Sequence, residues 1–131
     1  MRYIVPHEGM EFEVSDPWLE MAGAKGYSPS TCSYRASSSN EWPTTLVQLS
    51  DVEAPRRNPG VAGLDEKRTV CILRAFCGDI TLPPLEIDEP PGSRRFRFRV
   101  RDGFHRFYLS VAVGVKMRPV SVRPYFDIRA Q

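Results

Sequence analysis

Apolar positions recur along this chain in two rhythms, one of two residues and one of three to four, and each change of rhythm marks an element. Arg2 to Pro6 reads as a short strand, and Met10, Phe12 and Val14 form one face of a second. Ser15 and Asp16 then offer N-caps and Pro17 suits a first helical position, so Trp18 to Ala22 predicts a short helix ending near Gly23 or Gly26. Tyr27 to Pro43 has no apolar period and reads as a surface loop or linker. Thr45 to Leu49 resumes as a strand. Between Glu53 and Gly63, Pro55, Pro59 and Gly60 forbid regular structure and point to an ordered loop. Asp65 is a plausible N-cap for a helix with Val70, Leu73, Phe76 and Cys77 on its buried stripe and Gly78 at its end. Ile80 to Ile87 reads as a strand entered through Pro83 and Pro84, and Glu89 to Ser93 as the turn of a hairpin.

The second strand of that hairpin carries the clearest pattern. Phe96, Phe98 and Val100 alternate with Arg95, Arg97, Arg99 and Arg101, and Asp102-Gly103 ends the run. From Phe104 the period becomes helical, with Phe104, Phe107, Tyr108, Val111, Ala112 and Val115 on one side and Gly114 available as a left-handed C-cap. A strand that turns through glycine into a helix is the layout of a phosphate site. The first helical N–H groups lack intrahelical acceptors, the macrodipole is positive there, and glycine lets the chain approach a ligand closely. His105 and Arg106 can add donors in the first turn. The competing reading is a plain turn, with His105 bonded locally and Arg106 paired to Asp102 or Glu86. Asp65 and Glu66, at a helix start, read as capping and dipole groups before general bases.

Asp102-Gly-Phe-His-Arg106, the following helix with Gly114, and Met117-Arg-Pro-Val-Ser-Val122 resemble the signature region of the ParB/sulfiredoxin-like superfamily. Upstream, Leu46 to Val52, Pro55-Arg-Arg-Asn-Pro59, the helical run from Asp65 to Cys77, and Leu82 to Ile87 follow in the order of that domain. The resemblance implies an α+β fold, a mixed sheet flanked by helices, over residues 45–131, with 1–44 as an N-terminal extension packed on it. It implies a nucleotide-phosphate pocket in which Gly103, Phe104, His105 and Arg106 cradle the phosphates. Arg56 and Asn58 would close the opposite side. Asp102 and His105 are then the candidate catalytic residues, and a nucleoside triphosphate with magnesium the candidate cofactors. No set of protein metal ligands is expected. Relatives use this pocket for binding, slow hydrolysis, kinase chemistry or nuclease activity. Phe104 stands where sulfiredoxins place a reactive cysteine, so reductase chemistry is not expected. The chain ends at Gln131, soon after the last strand, so a ParB-type helix-turn-helix and centromere binding are not expected either.

Composition changes this picture in two places. A hydrophobic fraction of 41% with 26% charged residues fits a soluble globule of one domain. The net charge of +2 hides an asymmetry: residues 94–131 carry ten bases against two acids, a net of +8 that leaves −6 for the remainder. The Arg95, Arg97 and Arg99 face therefore supports an alternative function, a non-enzymatic module that binds nucleic acid or protein. Glu86 and Asp88 on the facing strand would neutralise that face, which favours the nucleotide reading. Cys32, Cys71 and Cys77 include no Cys-x-x-Cys and read as reduced packing residues. Without a secretory signal or a membrane-length apolar run, the expected location is the cytoplasm and no membrane partner is expected.

Overall fold

A small antiparallel hairpin, β1 (Arg2–Ile4) with β2 (Glu11–Glu13), and helix α1 (Asp16–Met21) precede the main sheet in a computed structural model that describes residues 1–23, 33–37, 43–55, 63–78, 80–115 and 117–125. The main sheet contains β3 (Thr44–Gln48), β4 (Val52–Glu53), β5 (Leu85–Asp88), β6 (Phe98–Asp102) and β7 (Met117–Val122) in the order β3-β7-β5-β6-β4. It is mixed: β5 runs antiparallel to β6 but parallel to β7, and β4 is parallel to β6. Helix α2 (Glu66–Gly78) packs on α1 and on helix α3 (Phe104–Ala112), and α3 also meets β1. The α+β class follows, as one domain around a shared core.

Val14, Leu73, Phe76, Leu85, Ile87, Phe107, Leu109 and Val120 are exposed by 1% or less and join the hairpin, both long helices and the sheet. Truncating any one of them to alanine costs about 2 to 5 kcal/mol, because the transfer and cavity penalties add. Within this core Arg118 is fully buried. Its Nε donates to Ser110 Oγ at 2.6 Å and its guanidinium lies 5.7 Å from the Phe107 ring centre. Burial lowers it to about 10, so it stays charged at neutral pH. No helix among the described residues is long and apolar enough to cross a membrane.

Several local expectations hold for stated reasons. Asp65 caps α2 through Oδ2, which accepts the Arg68 N–H at 3.0 Å. Gly114, at φ 74, follows the C-cap of α3 in the left-handed region. Others change. The strand expected from Ile80 begins only at Leu85, since Pro83 and Pro84 cannot donate to a ladder; Leu82 instead bridges to Ala36. The arginine strand is regular only from Phe98, and residues 95–97 run as bends although Phe96 is buried. Within the expected linker, Tyr34 is buried and stacks on Phe76 at 5.1 Å between ring centres, so residues 33–37 are part of the core covering. Cys71 is exposed rather than packed. Helix α3 buries His105, Leu109 and Ser110 beside Phe107 and Tyr108, while Phe104, Val111 and Ala112 are only half-buried. It is covered on more sides than one amphipathic stripe implies.

Candidate functional site

β6 ends at Asp102, Gly103 turns the chain, and α3 begins at Phe104. Gly103 has φ 118, a conformation that L-residues avoid, and an added Cβ would sit 2.6 Å from Leu85 Cδ2. Both facts require glycine. The Phe107 N–H is the first of the helix to reach back, to the Gly103 carbonyl at 2.8 Å, and Gly103, as the N-cap residue, has no side chain with which to cap the helix. The turn opens onto a cleft of about 420 Å³, bounded by Glu53, Ala54 and Pro55 on one side and by Arg99 to Phe104 on the other. The cleft is therefore where the strand ends, the glycine turn and the start of α3 converge.

The two polar side chains of the first turn face away from this opening into the protein. Arg106, with 13% of its side chain exposed, donates from Nη1 to the Pro83 carbonyl at 3.0 Å and lies 3.5 Å from Asp102 Oδ2. Tyr34 donates its hydroxyl to the same Pro83 carbonyl. Burial pushes the Tyr34 phenol well above its ordinary value, with Arg106 opposing the rise and Asp102 adding to it. His105 is buried and its Nε2 accepts the Asp65 backbone N–H at 2.8 Å. Asp102, with 70% of its side chain exposed, reaches the cleft mouth. Of the sequence-stated residues, Asp102, Gly103 and Phe104 thus line the cleft, and His105 and Arg106 moor it from behind. Arg56 and Asn58 lie outside the described residues; Pro55, immediately before them, is in the cleft wall.

The N-terminal segment shapes that wall, which periodicity alone did not suggest. Glu8 Oε1 accepts the Ala54 N–H at 3.0 Å, and the Tyr108 hydroxyl donates to the Pro55 carbonyl at 2.7 Å. Phe12 packs edge-on against Tyr108 with ring centres 5.1 Å apart. Glu8 and Tyr34 gave no sequence signal, because their partners are distant in the chain and are backbone groups. Among the described residues no group of three or more His, Cys, Asp or Glu side chains is placed to hold a metal ion. Asp102 and Glu53 are the carboxylates among the described residues lining the cleft.

Most of the arginine strand's charge is met by carboxylates within the protein. Arg94 Nη2 lies 2.6 Å from Glu53 Oε2, Arg97 Nε 3.1 Å from Glu89 Oε1, and Arg99 Nη2 2.8 Å from Asp88 Oδ2. Arg95 donates to the His7 carbonyl. Asp88 was expected on an open outer face and is fully buried, while Glu86 pairs with Arg123 at 3.2 Å. The register explains the change: a bulge between Glu86 and Ile87 sets Asp88 opposite Arg99 and Glu86 opposite Asp102.

No protein-family model and no curated protein sequence matches the chain. Among solved structures, it is similar to the C-terminally truncated chromosome-partitioning protein ParB from Caulobacter crescentus complexed with CTP-gamma-S, at a TM-score of 0.48 and 17% sequence identity. That likeness covers 65% of this chain and 46% of the ParB chain, so this chain spans less than half the length of that protein.

Proposed function

We propose that the cleft at the start of α3 binds a phosphate-bearing ligand, with a nucleoside triphosphate as the favoured class. One observation carries this reading: a left-handed glycine delivers a strand end to a helix N-terminus, and that junction opens on a cleft of about 420 Å³. The volume falls within the range of small-molecule sites, roughly 300 to 1,000 Å³. In this reading the backbone N–H groups of Phe104, His105 and Arg106 receive a phosphate, and Gly103 permits its close approach. The Arg106 side chain holds the loop to Pro83 and Asp102. Asp102 would orient the loop or a water, so any hydrolase or nuclease activity would depend on it; the His105 Nε2 accepts the Asp65 N–H. The interaction-module alternative draws on Arg95, Arg97 and Arg99, whose guanidinium groups already have partners within the protein.

Titration calorimetry and thermal shift with the four ribonucleoside triphosphates and inorganic pyrophosphate, with and without magnesium, test the reading. A ligand at 100 times its dissociation constant adds about 2.7 kcal/mol of stability. Arg106→Ala, which removes the loop's mooring to Pro83 and Asp102, is expected to weaken that binding indirectly and to lower the melting temperature as well. Absence of heat and of a melting shift with every one of these compounds at millimolar concentration removes the proposal.

A further inference from the structure

A single imidazole joins the starts of two helices. His105 is the second residue of α3, and its Nε2 accepts the N–H of Asp65, the residue that caps α2. Asp65 is fixed on its other sides, since its carboxylate takes the Arg68 N–H and its carbonyl the Thr69 N–H at 2.9 Å. A ring nitrogen that accepts an N–H must hold a lone pair, so the ring proton sits on Nδ1 and the imidazole is neutral. A second proton would turn Nε2 into a donor facing a donor. That bond cannot survive protonation.

The charges around the junction do not rescue the protonated form. In sequence beside the junction, the acids Asp65, Glu66 and Asp102 are matched in number by the bases Lys67, Arg68 and Arg106. The two helix N-termini, both partially positive, then weigh against the added charge. The ring is also buried, which disfavours its charged form further.

Resting on the reading of this loop as an anion site, we propose that His105 is a positioning residue that makes the site pH-sensitive. As the neutral imidazole it holds the Gly103 to Arg106 turn against the start of α2, and on protonation it releases Asp65 and loosens the turn. The imidazole acts through Asp65 and itself touches no ligand.

The test uses the full ¹⁵N-labelled chain at pH 5.5 and 7.5, one unit on either side of an ordinary imidazole at about 6.5. The amide protection factor of Asp65 is read by hydrogen exchange, and binding is read with sulfate, which does not titrate in this range. Wild-type protection at Asp65 is expected to fall roughly tenfold at the lower pH, and sulfate affinity roughly threefold with it. His105→Gln keeps an acceptor that does not titrate, so both quantities should stay level across the two pH values. His105→Leu has no acceptor and should leave Asp65 poorly protected at both. Level protection in the wild type, or the same fall in the Gln variant, overturns the proposal. Sulfate binding at neither pH would remove the anion-site reading instead, and the Asp65 amide would still decide whether His105 is the strut.

Discussion

Arg99 and Asp88 form a forked ion pair in which Nε donates to Oδ1 at 3.1 Å and Nη2 to Oδ2 at 2.8 Å. Asp88 is fully buried, and Arg101 Nε stands 3.8 Å from the same Oδ2, so one carboxylate anchors two arginines of β6. The carboxylate raises the Arg99 guanidinium further above its ordinary value through the hydrogen bond. Asp88→Ala should destabilise the protein by about 1 to 3 kcal/mol, below the cost of a fully buried pair because both arginines are partly exposed and can hydrate. Urea unfolding measures the difference. No loss of stability would mean that the fork contributes nothing net.

Replacing Arg95, Arg97 and Arg99 together by Gln separates a polyanion surface from an internally neutralised one. Since all three guanidinium groups have partners, the wild type should give no salt-dependent gel shift with single- or double-stranded nucleic acid at micromolar protein. A true phosphate-binding face would show affinity falling with salt at a slope of roughly 0.7 to 0.9 per contact, lost in the triple variant. That result would place the nucleic-acid module above the nucleotide pocket.

Gly103→Ala tests the turn itself. The left-handed φ of 118 alone costs a non-glycine residue about 1 to 3 kcal/mol, and the new Cβ at 2.6 Å from Leu85 Cδ2 obliges that buried side chain to shift. The variant should melt at a lower temperature and lose anion binding, whereas Gly92→Ala, whose Cβ meets nothing within 4 Å, should disturb only its own turn. Equal binding by the Gly103 variant and the wild type would count against the loop as the site.

Tyr34 predicts an alkaline limb in the stability profile. Burial raises its phenol above the ordinary 10.0, so the fold holds the protonated form and the unfolded chain does not. Its contribution is complete below pH 10.0 and is lost as pH rises toward the folded-state value. Stability of the wild type should therefore fall more steeply above that point than stability of Tyr34→Phe. Parallel profiles from denaturation at a series of alkaline pH values would show that Tyr34 ionises as freely folded as unfolded.

Element order and the strand-glycine-helix junction were legible in the sequence because each rests on local chemistry. Asp65 caps because its side chain reaches the N–H three residues on, and Gly103 turns because only glycine accepts its φ. The alternation of Phe98 and Val100 with arginines likewise marked β6. Partner choice was not legible. Asp88 could not be placed inside without the bulge that sets it opposite Arg99, and the burial of His105 depends on α2 arriving with a backbone N–H at its Nε2. Tyr34 and Glu8 bind carbonyl and amide groups of residues 83 and 54, contacts that leave no periodic trace. Local sequence determined the order of the main strands and helices and which side chains carry charge, though not where β5 and β6 begin. Tertiary packing decided which charges are already neutralised and which face of the α3 N-terminus remains open, because both depend on segments distant in the chain meeting at one place.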